Sequence, residues 1–119
     1  MRIGADYYPE HWEKERWKTD AEMMVKANIK VIRIGEFAWS LYEPEEGKYE
    51  FDWMDEALDF FGKYGIKVVM CTPSATPPKW MIDKYPDILQ NDIHGNPKLF
   101  GTRKHYCFNS ETYRQQTKT

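Results

Sequence analysis

Four side chains able to do chemistry fall within five consecutive residues of one stretch, FGTRKHYC, Phe100 to Cys107. They are Arg103, Lys104, His105 and Cys107, preceded by Gly101 and Thr102 and followed by the polar Asn109-Ser110-Glu111. The guanidinium of Arg103 is planar, always charged and rich in donors, so it can hold two hydroxyls of a ligand at once. The plainer alternative is a surface arginine paired with one of the many carboxylates. If the stretch is extended, alternation puts Arg103 and His105 on one side and Lys104 on the other. His105 then contacts a ligand or supports Arg103, and support is the simpler role. Cys107 is either a small buried apolar residue or a thiolate ligand. Zinc takes four ligands, and no second cysteine stands at ligand spacing. Cys71 lies inside a β-branched run and reads as core.

A second set of groups stands just beyond two short apolar runs. Asp6 follows the first run and Glu36 the second, each near aromatic residues: Tyr7, Tyr8 and Trp12, then Phe37 and Trp39. A carboxylate at the C-terminal end of a parallel strand tends to face a pocket. Aromatic residues make up 16 % of the chain, with 5 Trp and 8 Tyr. Such rings fill cores, mark interfaces, or stack on the apolar faces of sugars. Composition alone favours the core. For Trp39, Trp80, Tyr7 and Tyr8, packing and stacking on a sugar both stay open. His11 and His94 lack spaced partners and read as loop residues.

The elements that position these groups alternate. A short strand from Arg2 to Gly4 leads to a helix over about 13–27, with Trp17, Ala21 and Met24 on one face and Val25 beside them. Asn28 is suited to the left-handed turn that ends it. The run Val31–Ile34 predicts a buried parallel strand. Glu43–Gly47 reads as a turn. A second helix is expected from an N-cap at Asp52 to about Tyr64, with Met54, Ala57, Leu58 and Phe61 inward and Gly65 closing it. A third strand spans Lys67–Cys71. Val31, Ile32, Val68 and Met70 are the expected inward-facing residues. From Thr72 to about Ser110 five prolines predict a long irregular stretch, with one short helix over Lys79–Lys84. A polar segment from Glu111 starts like a helix.

Strands beginning roughly 30 to 36 residues apart match a βα repeat. No linker or internal boundary is visible, so the chain reads as one piece of an alternating α/β fold. A doubly wound sheet and a (β/α)8 barrel both begin this way. The Gly-rich phosphate-binding pattern is missing after the first strand, which reads Gly4-Ala5-Asp6-Tyr7. Polar and ionisable residues follow all three strands instead, and that favours the barrel.

Bulk properties exclude several classes. The 119 residues suffice for one small domain. A net charge of -2 gives no field attracting nucleic acid or an anionic membrane. Mean hydropathy is -0.79, and no apolar run approaches the roughly 18 residues of a membrane span. Two cysteines make no disulfide framework, and the opening Met-Arg-Ile-Gly lacks an apolar signal. A cytoplasmic location is the expectation.

Five motifs in order are specific enough to name a family: GADYYPEHW, RIGEFAWS, EGKYEFDW, TPSATPPKW and FGTRKHYC. Together they resemble the N-terminal part of the family 42 glycoside hydrolases, the bacterial and archaeal β-galactosidases, over roughly Ile3 to Tyr113. The resemblance implies that residues 1–119 are the N-terminal part of a catalytic TIM barrel: its first three βα units, incomplete and cut before strand four. A whole barrel of this kind needs about 250 residues. It implies retaining hydrolysis of terminal β-D-galactosides by two glutamates, both beyond Thr119, and an inactive fragment.

By the same resemblance Arg103 contacts galactose. Cys107 joins three cysteines of a later loop around a structural zinc, no cofactor serves catalysis, and the full-length protein is a homo-oligomer, a trimer. Asp6 and Glu36 come from adjacent strands, and a retaining pair stands about 5 to 5.5 Å apart. Because the family places its catalytic groups elsewhere, both are assigned to the pocket wall, with His105 and Trp39 as further candidates. Small departures occur: Asn28 for the usual Gly, Thr102 and Lys104 for Ser and Arg, and Phe108 for Pro. The competing readings are a non-catalytic α/β module binding carbohydrate or a protein, and a related barrel glycosidase acting on another sugar.

Overall fold

The structure, a computed structural model, describes residues 3–102 and 104–118. In chain order the elements are β1 (Ile3–Asp6), α1 (Lys14–Lys26), β2 (Ile29–Ile34), α2 (Trp39–Tyr42), α3 (Asp52–Lys63), β3 (Lys67–Met70), α4 (Lys79–Lys84) and α5 (Glu111–Gln116). They gather into two compact units, where the sequence suggests a single piece. The first holds residues 1–35 and 51–72, the second 36–50 and 73–119.

The first unit is a parallel sheet in the order β1-β2-β3. Its register aligns Ala5, Ile32 and Val68, then Asp6, Arg33 and Val69. Successive residues of a strand point to opposite faces, so Ile32, Ile34, Val68 and Met70 share one face and Val31 joins the other. The expectation that Val31 and Ile32 point the same way is therefore corrected. Ile32 and Ile34 are fully buried. Helix α1 packs on β2 and α3 on β3. Trp17, Ala21 and Met24 of α1 and Met54, Ala57 and Phe61 of α3 are buried, each set at helical spacing. Edge-on ring contacts join Tyr7 to Phe61 at 5.3 Å and Trp17 to Phe60 at 5.8 Å between centroids. Burial of each large side chain contributes about 1.5–3 kcal/mol.

Other boundaries shift for physical reasons. Strand β2 begins at Ile29, earlier than its β-branched run. Strand β3 stops at Met70, although the Cys71 amide still donates to the Ile34 carbonyl at 3.0 Å. As an edge strand β3 is less buried than a parallel strand should be: Val69 is 51 % and Met70 58 % exposed. Phe51, not Asp52, occupies the N-cap of α3, without a side-chain cap; Asp52 and Asp55 sit in the first turn, where negative charge favours the helix dipole. Val25 is exposed, outside the apolar stripe of α1. Asn28 does take a left-handed conformation, φ 57°. A β-carbon at Gly4 would lie 3.1 Å from the Val31 carbonyl oxygen, so the close approach of β1 to β2 suits glycine.

The second unit corrects the expectation of a long irregular loop. Trp39, Met81, Ile82, Ile88, Tyr106 and Tyr113 form a core of their own. Short 3-10 turns at Pro73–Ala75 and Pro86–Ile88 use prolines where helices begin, and α4 falls where it is expected. Isolated antiparallel pairings link Leu89 to Tyr106 and Asn91 to Pro97. Tyr106 and Tyr113 stack at 4.6 Å, and Ser110 caps α5 by accepting from the Tyr113 amide at 3.2 Å. Prolines here keep the regular elements short without preventing a packed core.

Candidate active-site segment

The described residues on either side of Arg103 form tight turns rather than an extended strand. The Leu99 carbonyl accepts from the Thr102 amide at 3.3 Å and from Thr102 Oγ1 at 2.7 Å. Gly101 (φ 87°) and Lys104 (φ 57°) are both left-handed, a conformation costing a non-glycine residue roughly 1–2 kcal/mol. Lys104 is thus not in the extended conformation that the alternation across Arg103, Lys104 and His105 would need. Arg103 itself lies outside the described residues.

His105 anchors these turns. It is 2 % exposed, and its Nδ1 lies 2.7 Å from the Thr102 carbonyl oxygen. Its own carbonyl accepts from the Gln90 amide at 2.7 Å, and two residues on, the Cys107 amide donates to Ile88 at 2.7 Å. The ring also meets Phe100 edge-on at 5.7 Å. His105, Phe37, Thr76, Pro77, Lys79 and Phe100 line a cavity of about 440 Å³ within the second unit. That volume falls in the range of small-molecule sites, about 300–1,000 Å³. Sequence reading missed Phe37, Thr76 and Phe100 as cavity residues, because nothing in their spacing reveals that they converge.

The remaining candidates are placed differently. Trp39 is 6 % exposed and belongs to the core of the second unit, with Nε1 donating to Glu43 Oε2 at 2.8 Å. It packs rather than offering a face to a sugar. Glu43 is a further residue that sequence reading passed over as part of a turn. It is 4 % exposed; its Oε1 accepts from the Gly47 amide at 2.8 Å, and its main-chain carbonyl accepts from Trp80 Nε1 at 2.8 Å. Glu36 is half-buried at the turn after β2, in the second unit. Asp6 ends β1 in the first unit, exposed on the sheet face that carries Val31, with Arg33 Nη1 at 3.5 Å.

Beside that sheet, Tyr7 donates to Asp20 Oδ2 at 2.9 Å, and Arg16 Nε donates to Asp20 Oδ1 at 2.7 Å. Burial, then the hydrogen bond to Asp20, pushes the Tyr7 hydroxyl far above its usual range, so it stays a donor. The Glu10 carboxyl is also raised, by burial first, and neither of its oxygens has a hydrogen-bond partner among the described residues. His11, expected in a loop, ends a 3-10 turn over Pro9–His11 and stacks on Tyr8 at 5.2 Å.

Cys107 is a half-buried free thiol, and so is Cys71. Among the described residues no three His, Cys, Asp or Glu side chains converge as metal ligands. Cys107 thus offers a single thiolate where zinc takes four ligands, and the described residues do not build a zinc site.

The whole segment matches known proteins. The glycoside hydrolase family 42 model, described as β-galactosidase, covers residues 6–119. β-Galactosidase BgaH of Haloferax lucentense is 51 % identical over 117 residues, 98 % of this chain and 18 % of that protein. A β-galactosidase of Thermus thermophilus is 53 % identical over 116 residues, again 98 % and 18 %. Among solved structures, the β-galactosidase of Halorubrum lacusprofundi superposes with a TM-score of 0.91 at 47 % identity, over 98 % of this chain and 18 % of that one. The enzyme of Bacillus circulans sp. alkalophilus does so with 0.94 at 36 % identity, over 99 % and 18 %. The chain therefore spans about 18 % of the length of these relatives. With its motifs in order and the family matched from residue 6 to residue 119, the chain belongs to glycoside hydrolase family 42.

Proposed function

We propose that this chain is the N-terminal part of a β-galactosidase and supplies one wall of its sugar pocket. The observation that carries this reading is the family match across residues 6–119, together with relatives that are themselves β-galactosidases. The three parallel strands are the first three βα units of a (β/α)8 barrel, with pocket residues on the loops that follow them. Hydrolysis proceeds with retention through two glutamates beyond Thr119, one acting as acid and base and the other as nucleophile. Arg103 holds galactose hydroxyls, His105 supports it, and Asp6 and Glu36 shape the wall. The 119-residue chain alone is inactive, since it lacks the catalytic pair.

The parent enzyme is cytoplasmic and homo-oligomeric, a trimer. Among the described residues no helix is long and apolar enough to cross a membrane. A structural zinc at Cys107 requires three more ligands from outside residues 1–119 and holds the fold rather than the substrate. The test is to express the parent gene and assay a chromogenic β-D-galactoside beside the matching glucoside, arabinoside and mannoside. Turnover of the galactoside, with an Asn-Glu pair encoded a few tens of residues past Thr119, supports the reading. No turnover of any glycoside refutes it, and preference for another sugar reassigns the substrate.

A further inference from the structure

Helix α1 buries Trp17, Ala21 and Met24 in one stripe, and Asp20 lies within it. Asp20 is 8 % exposed, so further chain can only deepen its burial. On local grounds aspartate suits this position poorly. It is a weak helix former, and taking its charge out of water is costly. An apolar residue of similar volume would pack there without that cost. The reason for a carboxylate lies in what it holds.

Both of its oxygens are used, and the two donors lead to opposite ends of the connection between β1 and α1. Oδ2 accepts from the Tyr7 hydroxyl at 2.9 Å, and Oδ1 accepts from Arg16 Nε at 2.7 Å. Tyr7 is the first residue after β1, and its amide donates to the Arg33 carbonyl at 3.0 Å, extending the ladder to β2. The Arg16 guanidinium lies over the Trp12 ring, 5.3 Å from its centroid. Between these points Trp17 Nε1 donates to the Pro9 carbonyl at 2.9 Å. Residues 7–12 are thus tied to α1 at start, middle and end, and Asp20 holds the first and the last tie. Tyr7 directly follows Asp6, whose Oδ1 lies 3.5 Å from Arg33 Nη1 at the C-terminal end of the sheet. The main chain that presents Asp6 is therefore set by the Tyr7 phenol.

We propose that Asp20 is a positioning residue for the sugar pocket. By fixing Tyr7 and Arg16 it holds the connection after β1, and with it the Asp6 carboxylate, in place against β2. Asp20 itself does not touch substrate. The kinetic consequence rests on the β-galactosidase reading; the anchoring of residues 7–12 does not.

The test uses the parent protein and its variants Asp20→Leu, Asp20→Asn and Tyr7→Phe. Leucine fills the stripe of α1, and Tyr7→Phe keeps the ring on Phe61 while removing only the hydroxyl, so it serves if Asp20→Leu misfolds. Three quantities are measured: the thermal midpoint, hydrogen exchange in peptides covering residues 5–13, and steady-state kinetics on a chromogenic β-D-galactoside. In Asp20→Leu the midpoint should be unchanged or higher. Exchange over residues 5–13 should be about three- to tenfold faster in Asp20→Leu and Tyr7→Phe. KM should rise by about the same factor with kcat near wild type, because a displaced wall weakens binding of substrate and transition state alike. Asp20→Asn should change less, since its amide carbonyl still accepts from one donor. Unchanged exchange in both Asp20→Leu and Tyr7→Phe overturns the proposal. So does an active enzyme with unchanged KM, or a KM that rises only where the midpoint falls. Faster exchange over residues 5–13 in a parent that hydrolyses no glycoside retires the β-galactosidase reading alone.

Discussion

Replacing Glu43 by Ala removes a buried carboxylate that accepts from donors of the second unit, among them Trp39 Nε1 and the Gly47 amide, both at 2.8 Å. Trp39 is buried, so its indole N–H gains no water in exchange. A hydrogen bond to a charged group contributes roughly 1.5–3 kcal/mol under such conditions. The Gly47 amide lies in an exposed turn and rehydrates, which limits its loss to about 0.5 kcal/mol. The Trp80 contact survives, because it uses the main-chain carbonyl of residue 43.

The sum is about 2–3.5 kcal/mol, or a thirtyfold to three-hundred-fold rise in opening of this unit. Hydrogen exchange read by mass spectrometry measures it region by region, whatever the oligomeric state. Peptides covering residues 36–50 and 73–90 should exchange faster by that factor, while those of α1 and β2 change less. Glu43→Gln keeps one acceptor and should fall between wild type and Ala. Lys84→Ala, which breaks an exposed pair with Glu46, should leave exchange unchanged. Exchange within threefold of wild type in Glu43→Ala would refute the idea that this carboxylate organises the unit.

Arg103→Ala in the parent enzyme should lower kcat/KM for galactosides roughly tenfold to a hundredfold without unfolding it; normal kinetics would remove Arg103 from the pocket. Cys107→Ser should lower zinc content and thermal stability together, and equal metal content in both proteins would reject the ligand role. Burial raises the Glu10 carboxyl above its ordinary value of 4.5, so its stabilising contribution is full below that pH and is lost as pH rises through the raised value. Glu10→Gln should therefore stabilise the protein at pH 7 and have little effect below pH 4.5; a chemical-denaturation series against pH that shows the reverse trend refutes this. Expressed alone, the 119-residue chain should self-associate in size-exclusion chromatography, because edge strand β3 exposes Val69 and Met70, and it should hydrolyse no galactoside. A monodisperse monomer, or turnover that survives purification, would contradict those two expectations respectively.

The sequence by itself determined the alternation of strands and helices, the buried stripes of α1 and α3, the left-handed Asn28 and the short helix α4. Each is a local decision, set by apolar spacing or by one residue's backbone preference. It also determined the family, because five ordered motifs carry that information without any contact being known.

Only the tertiary structure decided which face of β2 is covered, since a β-branched run such as Val31–Ile34 looks alike for a strand buried on one side or on both. It alone showed that residues 73–118 pack a core with 36–50. Proline marks where regular structure stops, but burial of Ile88 or Tyr106 depends on partners far along the chain. The same holds for Glu43, which reads as a turn residue until Trp39 and Gly47 are seen to converge on its carboxylate. Thr76 and His105 stand 29 residues apart, and their meeting on one cavity follows from long-range packing that no local spacing encodes.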